Sequence, residues 1–252
     1  MATHDINAIC SQILTADDLV VEEELFKQVL EKRVVTKILD NKSSIFIKIF
    51  SKEQLLLSHI TPLLHNIGFE IVDEVTYNVL DKKDVIYITR FNLFSPNLEK
   101  IESAKNNIED IITFSLQDPS VKHSKAFSLV YKENFNFKKI NILRAFIEYI
   151  DQAVLTINSA AILNTLTTHH DITALFIDYF LNKFDPKIEN KENLLGKIEE
   201  NIKEKIKQVP QILDDKILNI MMLFLKSLLR TNYFLEKETL SFKIDTKTFG
   251  KD

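Results

Sequence analysis

The hydrophobic period switches repeatedly between residues 44 and 117, and that alternation limits the folds open to the chain. In SIFIKIF, Ile45, Ile47 and Ile49 alternate with Phe46, Lys48 and Phe50, the period-two signature of a strand. KEQLLLSHITPLLHNI reads as a helix. Ser51 is its expected cap, Pro62 should kink it or split it into two turns, and Gly68 sits where a left-handed residue ends a helix. FEIVDEVTYNVL alternates again, with Ile71, Asp73, Val75 and Tyr77 on one face and Val72, Glu74, Thr76 and Asn78 on the other. LDKKD makes a turn, and VIYITRFNLF is a third strand. NLEKIESAKNNIEDIITFSL follows as a helix carried by Leu98, Ile101, Ile108, Ile111 and Ile112. The order β-α-β-β-α is most of a ferredoxin-like unit. Its closing strand is missing: AFSLVYKENF is the one candidate, and its spacing suits a helix equally well.

Both flanks read as helical. Thr15 with Asp18 resembles a capping box, and the residues after it read as one long helix to about Leu39, with Leu19, Phe26, Leu30, Val34 and Ile38 on its apolar side. From Pro119 onward the periodicity predicts helices near 120–132, 137–154, 159–168, 171–184, 190–209 and 212–234. The 190–209 helix is amphipathic, with Glu199 and Lys203 as an i,i+4 pair. The 212–234 helix is apolar on most sides and is expected at the centre of a bundle. The expected class is α+β: a helical lead-in over 1–43, a small α+β module over 44–117, and a mainly α-helical bundle over 118–252.

Composition narrows the function classes. With 3 Gly and 5 Pro in 252 residues there is little punctuation, which favours long helices. A hydrophobic fraction of 45% and 27% charged residues mark a folded rather than a disordered chain. The net charge of −4 offers no nucleic-acid surface. The most apolar run, Ile217 to Leu229, is broken by Asn219, Lys226 and Ser227 and is too short to span a bilayer. MATHDINAIC lacks a basic start followed by an apolar run, so no signal peptide is read. Cys10 is the sole cysteine, which excludes a disulfide framework and suits a reducing cytoplasm. Arg90, Arg144 and Arg230, with Arg33, are the only arginines among 32 basic residues, a pattern that hints at positions needing the planar guanidinium.

No catalytic constellation emerges. Gly68, Gly196 and Gly250 stand alone, so there is no glycine-rich phosphate loop and no dinucleotide fingerprint. His169 and His170 are adjacent, lack a third ligand at useful spacing, and are not read as a metal site; Asp171 is read as the N-cap of the next helix. His59 and His65 are expected to face solvent. Glu22-Glu23-Glu24 and Asp214-Asp215 sit near helix starts, where carboxylates complement the macrodipole. The expected sets of catalytic, cofactor-binding and metal-binding residues are therefore empty.

Two stretches carry a resemblance. Residues 142–186 hold Arg144 within ILRAF and end on Phe184-Asp185-Pro186; residues 228–245 hold Arg230-Thr231-Asn232-Tyr233-Phe234 and then LSFKID. In that order they resemble the large bacterial NAD-specific glutamate dehydrogenases. PLLHNIGFEIVDEVTYNV and IYITRFNL resemble that family's last ACT-like module. The resemblance implies a segment placed just before the catalytic region, whose reaction is oxidative deamination of L-glutamate to 2-oxoglutarate and ammonia with NAD. It implies no cofactor in this chain, and NAD for the intact enzyme. It further implies a structural, regulatory or oligomer-forming role, with the catalytic region and further copies of the chain as partners and with neither nucleic acid nor membrane. Arg144, Arg230, Thr231, Asn232 and Tyr233 become the expected contacts at the domain junction, and LSFKID the first strand of the next domain, partly unsatisfied without it. ACT-like modules often bind amino acids at a glycine-containing turn after the first strand. Here that turn is Ser51-Lys52-Glu53, without glycine, so it is only a weak ligand site. A free-standing ACT-like amino-acid sensor and a plain helical interaction module are the competing expectations.

Overall fold

The computed structural model describes residues 5–7, 23–41, 44–81, 84–94, 98–118, 124–154, 156–237 and 239–249. They fall into two compact units, Met1–Phe137 and Lys138–Asp252, each built on its own core.

The first unit is an antiparallel sheet with helices on both faces. Its strands are β1 (Asp5–Asn7), β2 (Val34–Asn41), β3 (Ser44–Ser51), β4 (Glu70–Asp81) and β5 (Asp84–Phe94), in the spatial order β1-β4-β5-β3-β2. The helices are α1 (Glu23–Lys32), α2 (Leu57–Ile67), α3 (Leu98–Gln117) and the short α4 (Leu129–Glu133). The expected β3-α2-β4-β5-α3 core is present, and its sheet order is the ferredoxin-like one. The strand that closes that sheet comes from a different place than the sequence suggested. AFSLVYKENF is a 3-10 turn, Lys125–Ser128, running into α4. The closing position beside β3 belongs to β2, which precedes the unit in the chain.

The long lead-in helix is therefore corrected. It ends at Lys32, and Arg33 turns the chain with a φ of 69°. Val34, Val35, Thr36 and Ile38 then form a strand in full register with β3, from Val34 opposite Ser51 to Asn41 opposite Ser44. Their apolar positions allowed either structure, and a paired strand places these β-branched side chains on a pleated, buried surface. Thr15, Asp18 and Cys10 lie outside the described residues. Two details of α2 also differ. It starts at Leu57 without a side-chain cap, while Ser51 closes β3 and donates its hydroxyl to the Glu53 carbonyl at 2.7 Å. The helix runs through Pro62 as one element rather than splitting. The face of β4 also shifts at its start: the register slips between Ile71 and Asp73, and Val72 is left 63% exposed.

The two faces of the sheet are covered differently. Leu25 and Val29 of α1 pack with Val35, Phe50, Tyr77, Val79, Ile86 and Ile88. The alternate set, which includes Ile38, Ile47, Ile49, Phe91 and Leu93, is buried on the side of α2 and α3.

The outer edge of β2 is closed by side chains of α3. The Ile38 amide donates to Glu109 Oε1 at 2.8 Å, and the Thr36 amide donates to Thr113 Oγ1 at 3.2 Å. Gln117 Nε2 donates to the carbonyls of Lys32 (2.7 Å) and Val34 (3.1 Å). Residues 109, 113 and 117 are one helical turn apart, so a single polar stripe satisfies several of the backbone groups an edge strand would leave open. Nothing in the periodicity of α3 revealed this, because a polar stripe on an amphipathic helix reads as solvated.

Gly68 ends α2 as expected, with φ 112° and its amide bonded to the Leu64 and His65 carbonyls. A second constraint was not legible: a Cβ at this position would stand 2.9 Å from Cε1 of Tyr131. Gly68→Ala is expected to lower the unfolding free energy by about 1–2 kcal/mol through the left-handed backbone alone, with the clash adding to it. Urea denaturation checks this. A change near zero would show that the turn relaxes freely.

The second unit holds α5 (Phe137–Ala153), which opens at the boundary, then α6 (Ser159–Thr168), α7 (His170–Phe184), α8 (Lys191–Ile206) and α9 (Ile212–Ser227). These match the expected helices closely except for the last, which stops at Ser227 rather than reaching residue 234. Leu228–Thr231 forms β6, which pairs antiparallel with β7 (Phe242–Ile244), followed by the short α10 (Thr246–Phe249). Ile217, Leu218, Met221, Met222, Phe224 and Leu225 of α9 are buried, while its first residues, Ile212 and Leu213, are exposed. Asp171 lies in the first turn of α7 rather than at its N-cap, which is His169. It pairs there with Lys205 at 2.6 Å.

Candidate junction site

Phe242 of β7 seats the β6–β7 ribbon on the helical core. Its ring lies 5.6 Å from that of Phe146 and 6.0 Å from that of Phe180, centroid to centroid. Phe180 is fully buried and also meets Phe184 and Tyr233, at 5.3 and 5.8 Å. Phe224 meets Phe146 at 5.2 Å and Phe249 at 5.7 Å, which brings α10 onto the same cluster. Tilted and edge-to-face rings at these separations add about 0.5–1.5 kcal/mol per pair beyond area burial. The cluster draws on α5, α7, α9 and the ribbon, so it ties the chain's last described residues to its bundle.

Thr231, Asn232 and Tyr233 form the return of the ribbon. Asn232 works as a clamp: its Nδ2 donates to the Thr239 carbonyl at 2.8 Å, and its Oδ1 accepts from the Ser241 amide at 2.8 Å. Thr231 Oγ1 accepts from the Tyr233 amide at 3.1 Å. Lys138 pairs with Glu236 at 3.1 Å. With Asn141, Asn232, Tyr233 and Lys237 these two border an open cleft of about 320 Å³. LSFKID, expected to begin the next domain's sheet and to be partly unsatisfied without it, pairs along one edge with β6: Thr231 faces Phe242, Arg230 faces Lys243, and the Asp245 amide donates to the Ser227 carbonyl at 2.9 Å. A ribbon closes locally because a ten-residue return costs little loop entropy. Arg230 projects from the ribbon into solvent, and Arg144 is half-buried on α5. Among the described residues neither side chain makes an ion pair.

The turn after β3 makes bonds of its own. Ser51 bonds to Glu53 as described, the Lys52 amide donates to the Arg33 carbonyl at 3.1 Å, and Arg33 reaches Glu53 at 3.4 Å. Lys52 is exposed, as are His59 and His65.

Two polar clusters of the helical unit escaped the sequence reading. Asp214, expected to serve only the helix dipole, accepts from Thr165 Oγ1 at 2.7 Å and meets His169 Nε2 at 3.0 Å. Burial pushes its carboxyl up, but the bonds from Thr165 and His169 and the His169 charge outweigh that and hold it below the usual range. Among the described residues no group of three metal-ligating side chains forms. Lys183 closes the end of α9, donating Nζ to the carbonyls of Leu225 (2.8 Å) and Lys226 (3.0 Å). Burial, and then the nearby Lys226 ammonium, push Lys183 down to about 8. The folded state therefore releases this proton near pH 8, while the unfolded chain holds it to about 10.5. From this group, stability should rise as pH climbs between those values. A pH series of unfolding midpoints checks it: the slope is expected in the parent and lost in Lys183→Met. An equal slope in both would assign it to another group.

Among the described residues, Gly68 ends α2 and leads into β4, the reverse of the strand–glycine turn–helix order that presents amides to a pyrophosphate.

Comparison with known proteins bears on part of each unit. Residues 33–106 match the family described as glutamate dehydrogenase, ACT3 domain, and residues 127–186 match glutamate dehydrogenase, helical motif 3. The ACT3 match starts at residue 33, just before β2, in keeping with that strand's place in the sheet. An NAD-specific glutamate dehydrogenase of Halomonas elongata is 27% identical over 216 residues, which is 81% of this chain and 13% of that protein. The protein of the same name from Pseudomonas aeruginosa is 26% identical over 210 residues, 77% of this chain and again 13% of its own length. The chain thus spans about an eighth of the relatives it matches. Two motifs of one family, in sequence order and each on a matching structural element, place this chain in the NAD-specific glutamate dehydrogenase family, as a segment that carries its ACT3 module and helical motif 3.

Proposed function

We propose that the chain is a non-catalytic segment of an NAD-specific glutamate dehydrogenase, which organises the enzyme without touching its substrates. The observation that carries this reading is that the two family matches, residues 33–106 and 127–186, are the ACT3 domain and helical motif 3 of glutamate dehydrogenase, in that order along the chain. The family reaction, oxidative deamination of L-glutamate to 2-oxoglutarate and ammonia with NAD, then belongs to a catalytic region outside these residues. Arg144, Arg230, Thr231, Asn232 and Tyr233 serve the junction with that region, and the ACT-like or helical unit provides contacts between copies. No helix among the described residues is long and apolar enough to cross a membrane, and the cytoplasm is the proposed setting.

The reading is tested by assaying glutamate-dependent NADH formation with the purified chain. No turnover is expected, and measurable turnover would overturn it. A stand-alone amino-acid sensor is disfavoured by the tied Ser51–Glu53 turn. A thermal-shift panel of the common amino acids separates the two, since specific binding to the folded state raises the melting temperature.

A further inference from the structure

The outer face of the β6–β7 ribbon carries a combination that the fold itself does not use. The register slips between Leu228 and Arg230, so Leu229 is the extra residue of a bulge opposite Lys243. A bulge re-aims the side chain it adds. Leu228 is buried at 1%, whereas Leu229 is 52% exposed and lies beside the exposed Arg230 and Lys243. Arg230 and Lys243 are direct cross-strand partners. Like charges directly opposite on a sheet destabilise it. Among the described residues neither side chain makes an ion pair or hydrogen bond, although the chain as a whole carries a net charge of −4. The opposite face of the same ribbon meets the helical core through Phe242.

We propose that Leu229, Arg230 and Lys243 form a docking patch for an acidic surface of the glutamate dehydrogenase catalytic region. This rests on the family reading above and names the partner chemistry of its junction. Two cations flanking one exposed leucine have the make-up of a small protein interface, an apolar centre with a charged rim. A nucleic acid or an anionic bilayer would need several more cations to bind a chain of this net charge. The matched relatives extend well beyond this segment, which covers 13% of their length, so a large surface is available to meet the patch.

The test is site-specific crosslinking of the full chain in its own host, with a photoreactive phenylalanine in place of Leu229 and, as control, in place of the exposed Leu235. Adducts from position 229, and not from 235, are expected on Asp- and Glu-rich peptides of a glutamate dehydrogenase polypeptide. Arg230→Glu with Lys243→Glu should cut their yield at least about tenfold, since like-charge contact opposes docking, while leaving the melting temperature unchanged. If the dehydrogenase co-purifies but position 229 gives no adduct, or charge reversal changes nothing, the patch is overturned and the family reading stands. If no dehydrogenase polypeptide associates at all, the family reading falls and takes the patch with it. Adducts to a second copy of the chain, to lipid or to nucleic acid overturn the proposed occupant.

Discussion

Replacing Phe180 with alanine is expected to unfold the ribbon first and to weaken the whole helical unit. The side chain is fully buried and shares ring contacts with Phe146, Phe184, Tyr233 and Phe242. Truncating a buried phenylalanine costs about 3–5 kcal/mol, from lost transfer energy and the cavity left behind. Here two of the four lost neighbours, Tyr233 and Phe242, hold the ribbon to the bundle. A two-stranded ribbon is marginal by itself in water. The loss should therefore be uneven. Hydrogen exchange of the β6 and β7 amides should approach that of the unprotected chain, while the amides of α6 and α8 keep most of their protection. Phe180→Leu should recover much of the stability, because it refills most of the volume. Uniform loss of protection across the unit would show that the ribbon is not a separate cooperative layer.

The second large effect is expected at Glu109. Its carboxylate, 7% exposed, accepts from the Ile38 amide through Oε1 and meets Lys37 Nζ at 3.2 Å through Oε2. Glu109→Ala leaves a buried amide without an acceptor, at a cost of about 1–3 kcal/mol. It also removes one of the three residues that close the β2 edge. An opened edge presents unpaired N–H and C=O groups to any other strand. The variant should thus show both a lower unfolding midpoint and a concentration-dependent increase in sedimenting mass relative to the parent. Glu109→Gln retains an acceptor for Ile38 and should show little of either. Should the alanine variant be destabilised yet sediment like the parent at every concentration, Thr113 and Gln117 suffice to protect the edge.

These two positions also mark where sequence reasoning stops. Phe180 sits in DYFLNKF, where the periodicity predicted a helix over 171–184, but spacing could not say which rings it would meet. Glu109 sits on a stripe that looks solvated on paper. It is buried because an edge strand lies against it, and that strand was itself hidden. The residues proposed for the junction show the same division. The order Arg230-Thr231-Asn232-Tyr233 was visible as a motif and pointed to the family. The Asn232 clamp onto Thr239 and Ser241, the bulge at Leu229 and the pairing of Arg230 with Lys243 are products of the ribbon's geometry. Asp214 was read as a helix-dipole partner. The His169 and Thr165 contacts that lower its carboxyl arise from a corner 45 residues or more away along the chain.

Local order was set by the sequence alone wherever one period excluded the other: the three alternating runs of residues 44–51, 70–81 and 84–94, the helices between and after them, and the left-handed stop at Gly68. So was membership of the dehydrogenase family. Tertiary structure decided the segments whose residues satisfy both periods. Val34 and Ile38 fit a helix read in steps of four and a strand read in steps of two, and Leu228 to Thr231 could have extended α9. In each case the outcome was settled by a partner distant in sequence, β3 with α3 for the first and β7 for the second. Strand pairing satisfies backbone groups through non-local bonds, which no window of neighbouring residues can register.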